Sequence, residues 1–350
     1  MHAGVAQLVE RLPSKQNVAS SNLVSRSNFF KYLQLKWDKY LNQFENFAVI
    51  DIGSNSVTLS IFRSSSKSKK TLNNIHSKKI YFGLQNYVNS SKDEKFHAII
   101  KLMDIVMGMK KISKEYNARL KIIATSAMRE VSKELDLKNI FLELTRTEIK
   151  ILSSKQEGYY SFSGAIEKIK PKKGILLFDL GGGSLEIGIF DNKKIKDIES
   201  IILGSLQLKI KFFSKDKYTS LEIENCRKYI KGKLEKFYKY DSYNKIIGIG
   251  GTVRNLGKIK ISNEKKQSSK NNLEITKLGL EKIIKMISKY DKHKLSNMKG
   301  LNPNRSDTIL PGLLVVSEIM TKSKAKKLQI SSNGLREGYM LRSNIDIPYF

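Results

Sequence analysis

Two stretches of this chain repeat one another at domain distance. Residues 47–62 read FAVIDIGSNSVTLSIF and residues 175–190 read ILLFDLGGGSLEIGIF. Asp51 aligns with Asp179, Gly53 with Gly181, Ser56 with Ser184, and Ile61-Phe62 with Ile189-Phe190, all at one offset of 128 residues. Each copy is an apolar run, a small polar turn and a second apolar run, which predicts strand, tight turn, strand. A repeat of this spacing constrains the chain to a duplicated α/β unit, with a cleft where the two copies face each other. Glycine and small residues let backbone N–H groups crowd one concavity, and such a nest holds phosphate oxygens. Ser54, Asn55 and Ser56 in the first copy, with Gly182, Gly183 and Ser184 in the second, are the candidate phosphate cradle. Asp51 and Asp179 end the first strand of each copy, where a carboxylate can hold a hydrated cation. One copy alone would be read as a glycine-rich hairpin with an aspartate in its turn; two in register favour a site.

A third glycine turn, Gly250-Gly251-Thr252, follows the apolar run Ile246–Ile249 and opens a further segment whose amides suit an anion. By itself this turn is weak. Elsewhere the apolar spacing predicts helices over 94–116, 132–145, 220–240, 276–290, 307–320 and 334–341, with strands at 120–124 and 328–331. Pro311 belongs in a first turn or at a kink. The polar run 262–272 predicts a mobile loop. Domain one is expected over 47–155, with the last helix (334–343) returning to it, and domain two over 156–333.

Composition excludes several classes. No run of eighteen apolar residues occurs, so no membrane-spanning helix is expected. The single cysteine, Cys226, excludes a disulfide framework within the chain and any cysteine zinc site, and it suits a reducing, cytoplasmic setting. His2, His76, His97 and His293 have no ligand spacing. The 64 basic against 33 acidic residues give a formal charge of +31, a field that attracts polyanions. Most of that excess is lysine in a chain also rich in Asn and Ile, all residues with AT-rich codons, so codon drift accounts for much of it. No nucleic-acid-binding motif is present, and a nucleic-acid partner is not expected.

Residues 1–46 differ from the rest. Val5–Glu10 back-translates to a transfer-RNA D-arm, and Ser20–Leu23 to a string containing GTTCGAATC, a T-loop. We expect a leader without function here, a transfer-RNA gene read through as protein over residues 1–27, with a start codon downstream.

The ordered motifs VIDIGSNS (49–56), ATSAMRE (124–130), ILSSKQEG (151–158), FDLGGGSLE (178–186), LGSLQL (203–208), GIGGTVRNL (248–256), NRSDTILPGLL (304–314) and NGLREG (333–338) together resemble the exopolyphosphatase/guanosine pentaphosphate phosphohydrolase family in its short, two-domain form. The resemblance implies two duplicated actin-like (ribonuclease H-like) ATPase-type domains with an interdomain cleft. It implies a phosphohydrolase that releases terminal orthophosphate from inorganic polyphosphate, the 5′ γ-phosphate of guanosine pentaphosphate, or both. By the same resemblance Glu157 is the base that activates water, Arg129 contacts phosphate, and Asp179, Glu186 and Asp51 surround magnesium, with potassium a second candidate ion. Gly250, Gly251 and Thr252 match the nucleotide-side loop of the superfamily, while Arg336 and Glu337 tie the domains together. The resemblance also makes a homodimer plausible.

Each role has a plainer competitor. Ser154-Lys155-Gln156-Glu157 fits an S-x-x-E capping box, in which Glu157 merely caps a helix. Glu186 reads equally as a charge on a strand face, and Arg129 as a surface arginine. Gln156 stands where the family commonly has a second acid, and Gln207 where many members have an arginine. Two other functions stay open: a non-catalytic sensor of polyphosphate or of guanosine tetra- or pentaphosphate, and a sugar or acetate kinase of the same superfamily.

Overall fold

In the computed structural model the described residues are 44–65, 68–170, 174–235, 242–243, 245–263 and 273–342. Nearly all of the expected leader, 1–43, and most of the expected loop, 264–272, lie outside them. Both sheets belong to one unit, built from the described residues of 46–64 and 69–342.

The first sheet is built from β1 (Phe44–Ile52), β2 (Ser56–Ser65), β3 (Ser68–Tyr81), β4 (Arg119–Ala124) and β5 (Ile149–Ile151). Between them lie α1 (Lys92–Glu115), α2 (Ser126–Val131) and α3 (Leu137–Thr145). α4 (Ser154–Ile169) leads into the second sheet through β6 (Ile175–Leu180), β7 (Leu185–Asp191) and β8 (Lys194–Ile201). Then come α5 (Ser205–Phe212), α6 (Ser220–Glu235), β9 (Lys245–Ile249), α7 (Gly251–Asn263), β10 (Glu274–Thr276), α8 (Lys277–Ile287), α9 (Lys292–Ser296), α10 (Ile309–Lys322), β11 (Lys327–Ile330) and α11 (Leu335–Arg342).

The strand orders are β3-β2-β1-β4-β5 and β10-β11-β9-β6-β7-β8. Apart from the added edge strand β10, one order maps onto the other, with β1 matching β6, β4 matching β9 and β5 matching β11. The repeat read from sixteen residues thus extends to whole sheets. β1 runs parallel to β4, with Ile50 opposite Ile122, and β6 runs parallel to β9, with Phe178 opposite Gly248. Parallel pairing buries both faces, which is why Val49, Ile50, Leu177 and Phe178 are all fully buried.

α10 is apolar except where Ser317 and Glu318 meet Arg227, and residues 309–320 are buried without exception, so it runs through the core of the second half. Pro311 sits in its first turn, where a missing N–H costs nothing. α4 packs Phe162 and Ala165 under the second sheet, against Leu177 and Ile247. Its Tyr160 turns the other way and joins Val49, Phe62, Ile123 and Leu152 of the first half, together with Tyr339 of α11. The two helices cross closely: a Cβ on Gly338 would lie 1.7 Å from the Tyr160 carbonyl oxygen.

Two expectations need correction. The helix expected over 132–145 begins only at Leu137, where Asp136 caps α3 by accepting from the Asn139 amide at 3.3 Å, and the separate short helix α2 precedes it. The polar run from 262 begins inside α7, where the Ser262 hydroxyl donates to Ile259 O and Lys299 O, both at 2.9 Å. No helix among the described residues is long and apolar enough to cross a membrane.

Candidate active site

The two repeated turns fold alike to the level of single hydrogen bonds. Gly53 N donates to Ser56 O at 3.0 Å, and Gly181 N donates to Ser184 O at 3.0 Å. Each turn also holds the segment that follows its hairpin: Gln85 N donates to Ser54 O at 2.9 Å, and Gln207 N to Gly182 O at 3.0 Å. The turns touch across the cleft, since a Cβ on Gly182 would lie 3.3 Å from the Cβ atoms of Ser54 and Asn55. The amides of Asn55 and Gly182, both lining the cleft, donate to no backbone carbonyl among the described residues.

The cleft is small, about 120 Å³, and its walls come from both halves. Five carboxylates line it: Glu337 of α11, and four others that burial perturbs. Asp51 and Asp179 enter from the ends of β1 and β6. Glu186 of β7 lies directly opposite Asp179 in the antiparallel register, which puts both side chains on one face of the sheet. Glu157 enters from the first turn of α4. Burial pushes all four above the usual carboxylate range. Mutual repulsion adds to this, with Glu157 and Asp179 raising Glu186, and Asp179 raising Asp51. Hydroxyls offset part of the cost: Ser161 donates to Asp179, while Ser200 (2.8 Å) and Ser184 donate to Glu186.

Glu157 has a partner of its own. Arg129 Nη1 donates to its carboxylate at 2.7 Å and to Leu152 O at 2.8 Å. The pair is largely removed from solvent, with side-chain exposures of 18% for Arg129 and 12% for Glu157. Burial raises Glu157 to about 7, against the lowering effect of the guanidinium. The capping reading is settled by geometry. Ser153, not Ser154, caps α4, and Gln156 closes the box by accepting from Ser153 N at 3.0 Å. Glu157 is thereby free of capping, and Gln156 does structural work for which a second acid is not needed.

Four cations that the sequence reading passed over as substrate groups face these acids: Lys79, Arg254, Arg305 and Arg336. Arg336 lies 3.9 Å from Asp51 and donates to Ser60 Oγ at 2.9 Å. Burial lowers Arg305 from its ordinary value, and the nearby Tyr81 side chain offsets part of that. Lys79 is exposed along its length, but its ammonium is pulled down to about 7 by enclosure at the cleft and by Arg254, Arg305 and Arg336. A set of like charges held together against its own repulsion is an anion-binding arrangement. Lys79 carried no signal, because β3 is a lysine-rich strand without apolar alternation. Arg254 and Arg305 stood inside motifs already singled out, yet nothing in their spacing aimed them at one point.

Of the residues expected in the site, Asp51, Asn55, Ser56, Glu157, Asp179, Gly182, Glu186, Gly250 and Gly251 line the cleft. Glu337 lines it as well, while accepting from Gly334 N at 2.9 Å as a helix cap. Arg129 sits behind Glu157, and Ser54 is buried with its hydroxyl 2.8 Å from that of Ser126. Gly183 packs against Ser54, Ser126 and Gln85, and Ser184 serves Glu186. Thr252 is fully buried against Gly312 of α10, and its hydroxyl has no partner among the described residues.

Among the described residues, no three acidic, histidine or cysteine side chains close on a common point as a metal cage. Magnesium seldom needs one, because it keeps several waters and takes one or two carboxylates with the substrate's phosphate oxygens. Asp179 and Glu186, opposed on one face of the sheet, fit that mode. A larger hollow of about 570 Å³, lined by Lys260, Ile283, Met286 and neighbours, holds none of these groups and adjoins the ends of segment 264–272. The acids and cations gather in the smaller cleft.

Residues 48–345 match the profile of the Ppx/GppA phosphatase family. The chain belongs to that family. It is 30% identical over 320 residues to the bifunctional 3-dehydroquinate synthase/phosphatase of Fusobacterium nucleatum, covering 87% of this chain and 47% of that protein. The chain therefore spans about half the length of that relative. Among solved structures it is similar to the Ppx/GppA family member of Aquifex aeolicus, with TM-score 0.72, 22% identity, and 86% and 97% of the two chains covered. It is also similar to an exopolyphosphatase from Cytophaga hutchinsonii, with TM-score 0.75, 18% identity, and 85% and 98% covered. These likenesses establish the two-sheet, actin-like fold of the Ppx/GppA proteins for this chain.

Proposed function

We propose that the cleft hydrolyses the terminal phosphoanhydride of inorganic polyphosphate, with the 5′ γ-phosphate of guanosine pentaphosphate as the second substrate to be tested. The observation that carries this reading is the buried Glu157–Arg129 pair, held at 2.7 Å in a cleft that also gathers four further carboxylates and four cations. A general base works best when its pKa lies near the working pH, and Glu157, at about 7, meets that requirement. Glu157 takes a proton from water as the water oxygen attacks the terminal phosphorus, and the bond from that phosphorus to the bridging oxygen breaks. Orthophosphate leaves with the shortened chain. Arg129 holds the carboxylate in place. The free amides of Asn55 and Gly182, with Arg254, Arg305 and Arg336, stabilise the charge spread over the transferred phosphoryl. Magnesium, when bound at Asp179 and Glu186, would offset further phosphate charge.

The two halves on either side of the cleft correspond to residues 47–155 with α11, and to 156–333. No aromatic ring lines the cleft among the described residues, so no stacking surface is offered to guanine; this supports the unadorned chain. Cytoplasmic location and self-association accompany the same reading.

The test is orthophosphate release with magnesium, comparing polyphosphate with guanosine pentaphosphate and wild type with Glu157→Gln. We expect release from polyphosphate to fall about 10²- to 10⁴-fold in the variant. Undiminished release would remove Glu157 from the role of base. Tight binding without release would make the protein a sensor, and phosphorylation of a sugar by ATP would make it a kinase.

A further inference from the structure

The helix that supplies Glu157 also touches both acids of the second sheet. Ser161 follows Glu157 by four residues on α4, which stacks the two on one side of the helix. Ser161 is fully buried, and its hydroxyl donates to Asp179 Oδ2. Gly158, between them, brings the same helix against Glu186: a Cβ there would lie 3.3 Å from the Glu186 Cβ and 2.7 Å from Ile198 Cγ2. The helix cannot drift away from these acids easily, because Gly164 and Tyr160 press it backbone to backbone onto α11.

The two oxygens of Asp179 are thereby given different work. A serine hydroxyl has one hydrogen to donate, and Ser161 spends it on Oδ2. Oδ1 lies beside Gly250, where a Cβ would come within 2.9 Å of it. Gly250 has a φ of 103°, so glycine is required there by its backbone as well as by this contact. Among the described residues Oδ1 accepts no hydrogen bond, and Asp179 lines the cleft. A carboxylate turns about its last torsion at little cost, and the serine on one oxygen stops that turn.

We propose that Ser161 is a positioning residue, which holds Asp179 so that Oδ1 alone is presented to the divalent cation of the cleft. The proposal rests on the magnesium mode given to Asp179 and Glu186 in the hydrolase reading, and it deepens that reading. Magnesium takes few carboxylate oxygens and keeps its waters, so a ligand fixed with one oxygen outward suits it. One helix then sets both the base and the metal ligand, through two side chains a single turn apart.

The plainer account is that Ser161 only offsets the cost of burying Asp179, which is a matter of stability. The two accounts part on metal affinity. Manganese(II) is the probe, because electron paramagnetic resonance separates free from bound ion without turnover. Removing the partner that orients a metal ligand commonly costs 10- to 100-fold in affinity, and we expect a loss of about that size in Ser161→Ala. Ser163→Ala, which removes another buried hydroxyl from α4, should leave binding unchanged. If alanine at 161 disturbs the fold, Ser161→Thr and Ser161→Val decide, since they add the same bulk and differ by one hydroxyl. Binding kept by threonine and lost by valine supports the role; equal binding overturns it. In turnover, Ser161→Ala should need about 10- to 100-fold more magnesium for half-maximal orthophosphate release, with kcat restored at saturation. Unchanged manganese affinity in Ser161→Ala, with only a lower urea midpoint, would overturn the proposal in favour of the plainer account. Asp179→Asn keeps the failures apart. If it abolishes manganese binding while Ser161→Ala does not, the positioning role alone falls. If it changes nothing, the cation does not sit on Asp179, and both the positioning role and the magnesium mode fall.

Discussion

At the scale of single residues, the cleft confines carboxylates that water would keep ionised, and Glu157 shows the consequence most directly. Its carboxyl is raised to about 7 by burial, with Arg129 pulling the other way. A base must be ionised, so kcat should rise with pH through about 7 and level off above it. Arg129→Ala removes the lowering influence, so the same limb should move to higher pH, an outcome that a purely structural role for the arginine would not produce. Linkage gives a second, independent check. A folded-state value above the ordinary 4.5 means that folding favours the protonated acid. The stability this contributes is full below about 4.5 and is lost as pH rises through about 7. Glutamine cannot ionise. Relative to wild type, Glu157→Gln should therefore gain stability between pH 5 and 8 by at most roughly 3 kcal/mol, read from urea unfolding. The pH slope carries the prediction, because the lone Arg129 left behind sets an offset common to both pH values. Little of this was legible in the sequence by chemistry alone. Glu157 has a capping motif around it, and only the fold reveals that Ser153 and Gln156 make the cap.

At the scale of elements, periodicity found most of the helices but missed where some of them begin and which strands stand at edges. The helix expected from 132 starts at Leu137, and only the Asp136 cap marks that start. β3 carries no alternation, because lysines on an edge strand serve to block pairing with other sheets and not to fill a core. Periodicity also cannot show which helices approach each other most closely. α4 and α11 meet backbone to backbone, where Gly164 lies against Gly334 and Gly338 against the Tyr160 carbonyl. Alanine at 338 would put a methyl 1.7 Å from that oxygen, and the obstruction is backbone, which cannot rotate aside. Gly338→Ala should cost about 3 kcal/mol or more in urea unfolding by forcing the helices apart. It should also lower activity, since Arg336 and Glu337 reach the cleft from the same turn of α11.

At the scale of the whole molecule, duplication explains a contact that no single half contains. Gln85 and Gln207 occupy equivalent places, each with its amide on the carbonyl of the matching turn residue, Ser54 or Gly182. The pseudo-symmetry brings them face to face, and Gln85 Nε2 donates to Gln207 Oε1 at 3.0 Å. The constant offset of 128 residues made the facing turns legible from the sequence; the glutamine pair was not, because Gln85 lies outside the repeated strings. With the turns in contact, parting of the halves must break the Gln85–Gln207 bond. Such a bond is worth a net 0.5–1.5 kcal/mol, so removing it should raise the open population about 2- to 10-fold. Gln207→Ala should enlarge the radius of gyration of the unliganded protein in small-angle scattering and raise KM, while the pH limb near 7 stays where Glu157 sets it. An unchanged radius and KM would mean that turn-to-turn packing alone keeps the cleft shut. A shifted pH limb would mean that closure, beyond admitting substrate, also sets the burial that tunes the base.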